Sequence, residues 1–282
     1  MRVLITGAGG QLGRALQAAL AGHTLIPFAH ADLDVADRAA VFRTILSARP
    51  EVVIHAAAWT DVDGCARDPE RAFRVNALGT QFVALACAAA DAAMVYISTN
   101  EVFDGTKGEP YLEFDRPNPI NPYGQSKWVG EWFVAHLLRR FYIVRTAWVF
   151  GPGGNHFVRK ILRRAEAEGS LRVVGDEVGS PSYTRDVAEA IARLIETEAY
   201  GIYHFTNEGM CSRYDYAREI LRLTGRGHVP VVPIALADFP RPSQVPPFTP
   251  LANRCGAALG IRLRPWPEAL RAYLAEEGWL AE

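Results

Sequence analysis

The first half of the chain alternates short apolar runs with longer segments that carry apolar residues at helical spacing. The short runs are rich in Val, Ile and Leu, which is typical of strands buried on both faces of a sheet. We predict strands over residues 2–6, 24–28, 51–55, 93–98 and 141–146. We predict the intervening helices over residues 11–20, 37–47, 70–90 and 123–140. This alternation predicts an α/β fold with a doubly wound parallel sheet.

The pattern changes in the second half. Helical spacing recurs over residues 156–168, 184–197, 212–223 and 267–277, with one short strand at 202–205. Residues 230–250 hold seven of the 18 prolines, which excludes a regular helix or a central strand and predicts a surface loop. We therefore predict a first domain over residues 1–150 and a smaller C-terminal lobe over 151–282. We expect residues 184–205 to return to the first domain.

Composition and charge narrow the class of protein. The chain has 30 basic and 31 acidic residues and a net charge of −1, so it lacks the positive field that a nucleic-acid partner requires. No apolar run is long enough to cross a bilayer, and no secretory signal precedes the first strand. The four cysteines are scattered, which is typical of reduced thiols. We expect a cytoplasmic protein with neither a nucleic-acid nor a membrane partner.

Lysine is rare among the basic residues. Only Lys107, Lys127 and Lys160 occur beside 27 arginines. Because this chain uses Arg wherever any cation suffices, a position that keeps Lys is a candidate for chemistry that needs an amine. Lys160 and Arg164 lie on a predicted helix whose basic side is either a solvated face or a phosphate-binding surface.

A glycine-rich turn follows the first predicted strand directly. Gly7 permits a tight exit from the strand, Gly10 lets the backbone approach a pyrophosphate, and Gly13 permits close packing of helix on strand. An anion bound there meets free N–H groups at the positive end of the helix dipole. The position between a strand and a helix favours dinucleotide binding over a purely structural turn, and it indicates a Rossmann-type first domain.

The end of the second strand bears on which dinucleotide is bound. An acidic residue there commonly bonds the adenosine ribose and disfavours a 2′-phosphate. Residues 28–32 read Phe-Ala-His-Ala-Asp, with no acid directly after the strand. We therefore predict NADPH as the cofactor, with NADH possible. Asp34 and Val35 are a candidate adenine contact, although Asp34 fits a turn or a helix cap nearly as well.

Tyr123 and Lys127 stand four residues apart in a predicted helix, so their side chains share one face. A tyrosine hydroxyl can protonate a carbonyl oxygen as hydride reaches the carbon, provided that its pKa falls from about 10. A nearby ammonium lowers that pKa by stabilising the phenolate. Thr99 ends a predicted strand and offers a second hydroxyl, although alone it fits a backbone-bonded strand end equally well. Together the three side chains predict carbonyl reduction.

With these motifs, the sequence resembles the dTDP-4-dehydrorhamnose reductase family, in the extended branch of the short-chain dehydrogenase/reductase superfamily. The resemblance covers nearly the whole chain. It is carried above all by residues 6–13, 55–60, 98–105, 119–127, 145–151 and 179–186. It implies NADPH-dependent reduction of the C4 keto group of dTDP-4-dehydro-L-rhamnose to dTDP-L-rhamnose. The first domain would bind the dinucleotide, and the C-terminal lobe would bind the dTDP-sugar.

The resemblance also implies residue roles. Thr99 and Tyr123 would polarise the keto oxygen, Tyr123 would deliver the proton, and Lys127 would lower the pKa of Tyr123 and hold the cofactor ribose. The candidate cofactor-binding residues are Gly7, Gly10, Gln11, Leu12, Asp34, Val35, Ala56, Ala57, Ala58, Tyr123 and Lys127. The candidate substrate-binding residues are Val102, Phe103, Trp148, Ser180 and Tyr183. Trp148 fits a core position equally well.

Several positions depart from the family pattern. The pair Asn100-Glu101 replaces Asp-Tyr, and Glu101 is either a loop carboxylate or a residue like the base of sugar-nucleotide dehydratases. His156 replaces Asn, and Glu177 replaces Gln. Val245 stands where the family has an arginine suited to a diphosphate, and the nearby Arg241 is a candidate substitute.

The reduction of another sugar nucleotide at C4 remains open on the sequence alone, and so do two functions of other kinds. One is a dehydratase or epimerase on the same scaffold, suggested by Glu101. The other is a non-catalytic, dinucleotide-binding regulatory subunit, against which the retained Thr99, Tyr123 and Lys127 argue. We expect no bound metal, because no His/Asp/Glu cluster indicates one. A homodimer is compatible with the sequence.

Overall fold

The protein is described here by a computed structural model that covers residues 1–281. In chain order the strands are β1 (Arg2–Thr6), β2 (Thr24–Phe28), β3 (Val52–His55), β4 (Ala93–Thr99), β5 (Phe141–Thr146), β6 (Val149–Phe150), β7 (Leu171–Val174), β8 (Val178–Gly179), β9 (Ser182–Tyr183), β10 (Gly201–His204), β11 (Cys211–Ser212) and β12 (Val231–Ile234). The helices are α1 (Gln11–Ala19), α2 (Arg38–Ala48), α3 (Val62–Arg67), α4 (Pro69–Ala72), α5 (Gly79–Ala90), α6 (Pro122–Leu137), α7 (Phe157–Glu168), α8 (Thr184–Leu194), α9 (Arg213–Leu223), α10 (Cys255–Ala258) and α11 (Trp266–Glu276).

Across the described residues, six of these strands form one parallel sheet in the order β2–β1–β3–β4–β5–β10. The chain runs outward from β1 to β2 and then resumes with β3 on the other side of β1. Such a reversal opens a crevice at the carboxyl ends of the strands. β3 is buried throughout, whereas β2 lies at the edge, where Pro27 is tolerated because no further strand needs its missing N–H. The predicted doubly wound parallel sheet is confirmed.

Helices cover both faces of this sheet. On one face Leu16 of α1 and Ile191 of α8 share a core with Val3. On the other face Ile45 of α2 and Val83 of α5 pack with the opposite side of the sheet. All five side chains are fully buried, and each burial of this kind stabilises the fold by about 1.5–3 kcal/mol. The sheet with its two helical layers is therefore a rigid support for the crevice.

A second core lies outside this sheet. It packs α7, α9 and α11 around aromatic side chains, including Phe150, Tyr216 and Tyr273. Part of the second half returns to the first core, because β10 pairs with β5 from Gly201–Tyr142 to His204–Arg145 and α8 covers the sheet. The chain division at residue 150 remains a proposal.

The proline-rich segment is less irregular than predicted. Val231–Ile234 forms β12, which pairs in parallel with β7. This small sheet has only two strands, so Pro233 lies on an edge and removes no central hydrogen bond. The prediction of a surface loop is therefore wrong for these four residues, while its exclusion of a central strand agrees with the structure.

One helical run begins one residue before the predicted helix over 70–90 and ends at the same residue. Residues Pro69–Ala90 form a continuous run of 22 residues through α4, a π-helical turn (Phe73–Leu78) and α5. By length and a mean hydropathy of 1.2 it could cross a membrane, contrary to the expectation that no segment is long enough. Half of its most apolar window is buried inside the protein, which is also what a core helix shows.

Candidate active site

A cleft of about 420 Å³ lies at the carboxyl ends of β1, β3 and β4. Its position is the crevice created by the reversal of strand order, where open α/β sheets bind ligands. The predicted residues that line it are Gly7, Gly10, Gln11, Leu12, Ala56, Ala58, Thr99, Tyr123, Lys127 and Trp148. The structure thus brings the glycine turn and the three proposed catalytic side chains into one cavity.

The glycine turn leaves no room for side chains. Gly7 has a φ of +72°, and a Cβ there would lie 2.6 Å from the backbone nitrogen of Ala57. A Cβ on Gly13 would overlap the carbonyl oxygen of Gly7. α1 starts with Gly10 as its N-cap, without a capping side chain or an acidic residue in its first turn. Its first N–H groups are therefore left for an anion, as a pyrophosphate needs.

Asp34 and Val35 do not line this cleft among the described residues. Asp34 Oδ1 accepts a hydrogen bond of 2.9 Å from Ala36 N, so it serves as the turn residue that the sequence allowed. Val35 is buried against α5. In contrast, Asp32 folds back so that Oδ2 accepts a 2.9 Å bond from Ala29 N. An acid therefore does lie at the end of β2, although not directly after it in sequence.

Helix α6, which carries Tyr123 and Lys127, is fixed at its start. Asn121 caps it, since Oδ1 accepts a 2.8 Å bond from Gly124 N. Tyr123 and Lys127 follow one turn apart and are 9% and 2% exposed. Thr99 ends β4, where its hydroxyl donates to Asn100 Oδ1 and accepts from Glu101 N, both at 3.2 Å. The three proposed catalytic residues therefore stand on the two rigid elements that border the cleft.

The pKa of Tyr123 is raised, which is the opposite of the predicted direction. Burial is the largest cause, and the Glu101 carboxylate adds to it, while a hydrogen bond with Thr99 opposes both. Burial also lowers the pKa of Lys127 to about 7, against a smaller opposing effect of Glu131. Lys127 is not among the groups that shift the pKa of Tyr123, so in the chain alone burial keeps Tyr123 protonated.

Glu101, which lines the cleft, is hydrogen-bonded to the start of α6. Its carboxylate accepts a 2.6 Å bond from Asn121 Nδ2, and a Cβ on Gly124 would overlap its carbonyl oxygen. Burial raises the pKa of Glu101 to about 7, although the Asn121 bond lowers it. Asn100 bonds to Thr249 at 2.7 Å and so joins the end of β4 to the C-terminal lobe. Both residues of the unusual Asn-Glu pair thus have structural partners.

A second cleft of about 440 Å³ adjoins the first and shares Trp148, Val149, His156 and Arg213 with it. It is basic, and the charged side chains that line it are Asp63, Lys160, Arg164, Arg172, Glu177, Arg213 and Arg241. Lys160 and Arg164 thus border a cleft instead of forming only a solvated face. Arg241 lies here too, with Nε 3.0 Å from Asp63 Oδ1, whereas Val245 is buried.

Arg213 was not found by sequence reasoning. Its Nε bonds to Glu177 Oε1 at 3.0 Å, and its guanidinium carbon lies 3.5 Å from the centroid of the Trp148 ring. It lines both clefts, so it stands where they meet. No motif marks it, because it is one of 27 arginines and begins an ordinary amphipathic helix.

The other predicted substrate residues lie at different depths. Trp148 borders both clefts, with a φ of +45°. Val102 and Phe103 are fully buried with Tyr111, and neither lines the two clefts of the described residues. Ser180 bonds to the Gly209 carbonyl at 3.0 Å, and the hydroxyl of Tyr183 bonds to Glu276. These four side chains therefore pack behind the residues that line the two clefts and do not face the clefts themselves.

His156 is held between the two clefts. Its Nε2 lies 3.0 Å from both the Gly151 carbonyl oxygen and the Tyr273 hydroxyl. Burial lowers its pKa to about 4, so the ring is neutral at neutral pH. Within residues 1–281 we find no group of three or more His, Cys, Asp or Glu side chains placed to hold a metal ion.

Comparison with known proteins identifies the family. The model of the RmlD substrate binding domain matches residues 1–278. The chain belongs to this family. It is 41% identical to dTDP-4-dehydrorhamnose reductase of Mycolicibacterium smegmatis, over 97% of this chain and 85% of the relative. The predicted resemblance is thereby confirmed.

Solved structures of this family match the fold closely. A dTDP-4-dehydrorhamnose reductase of Clostridium acetobutylicum is 41% identical, with a TM-score of 0.95, and the match covers 99% of this chain and 100% of that one. The Bacillus anthracis dTDP-4-dehydrorhamnose reductase in complex with NADP is 37% identical, with a TM-score of 0.94 and coverage of 98% and 99%.

Proposed function

We propose that this chain reduces the C4 keto group of dTDP-4-dehydro-L-rhamnose with NADPH and forms dTDP-L-rhamnose. The observation that carries the proposal is the placement of Thr99, Tyr123 and Lys127 in one cleft with the glycine turn. Membership of the RmlD family and nearly full-length similarity to dTDP-4-dehydrorhamnose reductases support the substrate class. The NADP complex of the Bacillus anthracis protein supports the cofactor.

The residues of the first cleft fit a dinucleotide. The turn at Gly7 and Gly10 accommodates a pyrophosphate because neither position carries a side chain. Gln11 Oε1 and Thr146 Oγ1 are buried and have no hydrogen-bond partner within residues 1–281. Both residues line the cleft, so a polar ligand there has two protein groups to bond. When bound, NADPH supplies the hydride.

Side chains of the protein itself supply the proton for the keto oxygen and stabilise the groups that take part in its transfer. Tyr123, kept protonated by its surroundings, donates a hydrogen bond to the keto oxygen and then its proton as the alcohol forms. Thr99 holds the same oxygen through its hydroxyl. The ammonium of Lys127 stabilises the phenolate left on Tyr123, in addition to binding the cofactor ribose. The raised pKa ensures that the acid form is present before reduction, and the Lys127 ammonium offsets the resulting weakness of the acid by stabilising the phenolate.

The second cleft fits the nucleotide diphosphate. Arg213 and Arg241 reach it from α9 and from the proline-rich segment, and Lys160 and Arg164 reach it from α7. Guanidinium groups form paired, charge-assisted bonds to phosphate oxygens. Trp148 stands between this cleft and the first, so its ring is a wall for the sugar. Arg241 thus takes the place of the arginine that Val245 does not provide.

The assay that tests the proposal is loss of NADPH absorbance with enzymatically made dTDP-4-dehydro-L-rhamnose. The expected result is one NADPH consumed per sugar nucleotide, with almost no turnover by Tyr123→Phe. A folded protein that binds NADPH but leaves the substrate unchanged would contradict it.

Glu101 favours one second candidate, a dehydratase or epimerase of the same substrate class, because its carboxylate lines the first cleft. Such enzymes recycle their dinucleotide within one catalytic cycle. Purification with stoichiometric bound nucleotide, and turnover of a dTDP-sugar without net NADPH loss, would support this candidate instead.

We also propose that the protein acts in the cytoplasm and forms a homodimer. The four cysteines are unpaired within the described chain, as in a reducing compartment. Phe73, Trp128 and Trp132 are 43%, 39% and 50% exposed on neighbouring helical segments, which supports a self-association face. Sedimentation of the wild type beside Trp132→Glu tests this, and a monomeric wild type would contradict it.

A further inference from the structure

Lys127 is a buried cation with an unusual partner. Its side chain is 2% exposed, and within residues 1–281 no carboxylate lies within ion-pair distance of it. The nearest acid on its own helix, Glu131, is instead paired with Arg145 at 2.7 Å. The Nζ of Lys127 lies 4.1 Å from the centroid of the Tyr96 ring. An aromatic face attracts a cation at this distance, more strongly where water is excluded.

Tyr96 is held in place from several sides. Its hydroxyl donates a 3.2 Å bond to the backbone oxygen of Lys127. Its ring stacks on His55, with centroids 5.8 Å apart and planes at 20°. A Cβ on Gly130 would overlap the Tyr96 hydroxyl, so the ring fits under α6 only because glycine stands there. The ring is fully buried and therefore has one well-defined position.

The neighbouring imidazole is neutral, which matters for a cation beside it. Thr80 donates its hydroxyl proton to the Asn76 carbonyl at 2.6 Å, so it accepts from His55 Nε2–H at 3.1 Å. His55 Nδ1 then accepts the Thr6 hydroxyl proton at 2.7 Å. Burial, and next the charge of Lys127, lower the pKa of His55 to about 3. His55 thus fixes the Tyr96 ring without repelling the ammonium.

We propose that Tyr96 is a positioning residue for the reaction, whose ring face holds the Lys127 ammonium in the cleft in place of a carboxylate. A carboxylate would occupy the N–H donors of Lys127 and cancel its charge at Tyr123. A ring face attracts the ammonium while leaving those donors free for the cofactor ribose and the phenolate. The inference about catalysis rests on the proposed function, whereas the inference about the charge of Lys127 does not.

The consequence is a change in the titration of Lys127. The charged or titratable groups around it are Glu131 and Tyr123 on α6, His55 on β3 and Tyr96 on β4. His55 is neutral and Tyr123 is protonated at neutral pH, so removal of the Tyr96 ring leaves burial opposed by Glu131, which is itself paired with Arg145. The pKa of Lys127, already lowered to about 7, should then fall by about one further unit.

The test is carbon-13 NMR of protein labelled at lysine Cε. Only three lysine signals arise, and Lys107→Arg and Lys160→Arg assign them. In Tyr96→Leu we expect the Lys127 pKa to fall by about one unit, with loss of the upfield ring-current shift. Tyr96→Phe keeps the ring and should retain both. Tyr142→Leu is the matched control, because Tyr142 is equally buried on β5 but packs in the opposite core.

The same variants are then assayed for reduction. Tyr96→Leu should lose about tenfold in kcat at pH 8 and move its alkaline limb to lower pH, and Tyr96→Phe should not. An unchanged Lys127 titration in folded Tyr96→Leu, or an equal fall in Tyr96→Phe, would overturn the proposal. If Tyr96→Leu does not fold, the wild type decides: a Lys127 signal without an upfield shift relative to Lys160 rejects the ring contact. Altered titration without any wild-type reductase activity would reject the proposed function alone.

Discussion

The two clefts are built in different ways. The first cleft is formed by backbone and short-range sequence: a glycine turn, a strand end and two residues one helical turn apart. The second is formed by charged side chains from distant segments, such as Arg213 with Glu177 and Arg241 with Asp63. Under the proposed function, the chemistry would be fixed by the fold, whereas the choice of sugar nucleotide would depend on a few paired arginines. Each cleft can therefore be disabled separately.

The largest effect is expected when the proton donor is removed and both clefts are otherwise left unchanged. Tyr123→Phe should lower kcat by about 100- to 10,000-fold, because the keto oxygen then loses its acid. NADPH affinity, measured by fluorescence titration, should change little. A variant with wild-type turnover would show that another group supplies the proton, and Glu101→Gln would then be examined beside it.

A smaller effect is expected at Arg213, where the two clefts meet. Arg213→Ala should raise KM for the sugar nucleotide by about 10- to 100-fold, because a charge-assisted hydrogen bond to the diphosphate is lost. Arg213 also borders the first cleft, so the affinity for NADPH is measured beside it and should change by less than this KM. Arg222→Ala is the matched control on the same helix, since Arg222 is exposed and, among residues 1–281, pairs only with Glu219. Equal KM values for the two variants would remove Arg213 from the binding site.

Lys127 is expected to be required for turnover and, because its charge is buried, to lower the stability of the fold. Burial lowers its pKa to about 7, so the folded chain holds fewer protons than the unfolded chain between that pH and about 10. The cost of the buried charge is therefore complete below pH 7 and fades as pH rises. Lys127→Met should abolish turnover yet raise Tm by about 2–5 °C at pH 6, with a smaller gain at pH 9. Calorimetry that shows a lower Tm at pH 6 would contradict this.

The smallest expected effect is on the preference for NADPH over NADH. Asp32 follows β2 and its carboxylate folds back to Ala29, a position from which an acid would disfavour a 2′-phosphate. Asp32→Asn should raise the preference for NADPH over NADH by about threefold to tenfold, as expected for relief of one exposed like-charge contact. The ratio of kcat/KM with the two cofactors measures it, and Asp37→Asn at the N-cap of α2 is a control. An unchanged ratio would mean that Asp32 does not face the ribose.

Much of the first cleft could be predicted because its signals are local. The glycines follow a strand directly, and Tyr123 and Lys127 share a helix face through their spacing alone. The doubly wound sheet likewise follows from alternating runs. Features that depend on distant contacts could not be predicted in this way. No sequence motif marks Arg213, and none shows that the Asp32 carboxylate folds back to the end of β2.

Burial explains the remaining differences. Val102, Phe103, Ser180 and Tyr183 lie near the site in sequence and space, yet their side chains turn into the core. The direction of the Tyr123 pKa depends on how much water the fold removes, which spacing does not show. The strand in the proline-rich segment could not be predicted from its composition, because a two-stranded sheet tolerates proline where a central strand does not.

The most direct test of the central claim follows the hydride itself. NADPH deuterated at the transferable position of the nicotinamide is incubated with the protein and dTDP-4-dehydro-L-rhamnose, and the product is analysed by NMR and mass spectrometry. The account predicts one deuterium per product, at C4 of the 6-deoxy sugar, in dTDP-L-rhamnose. Product without deuterium at C4, or a sugar nucleotide changed while NADPH is not consumed, would contradict it.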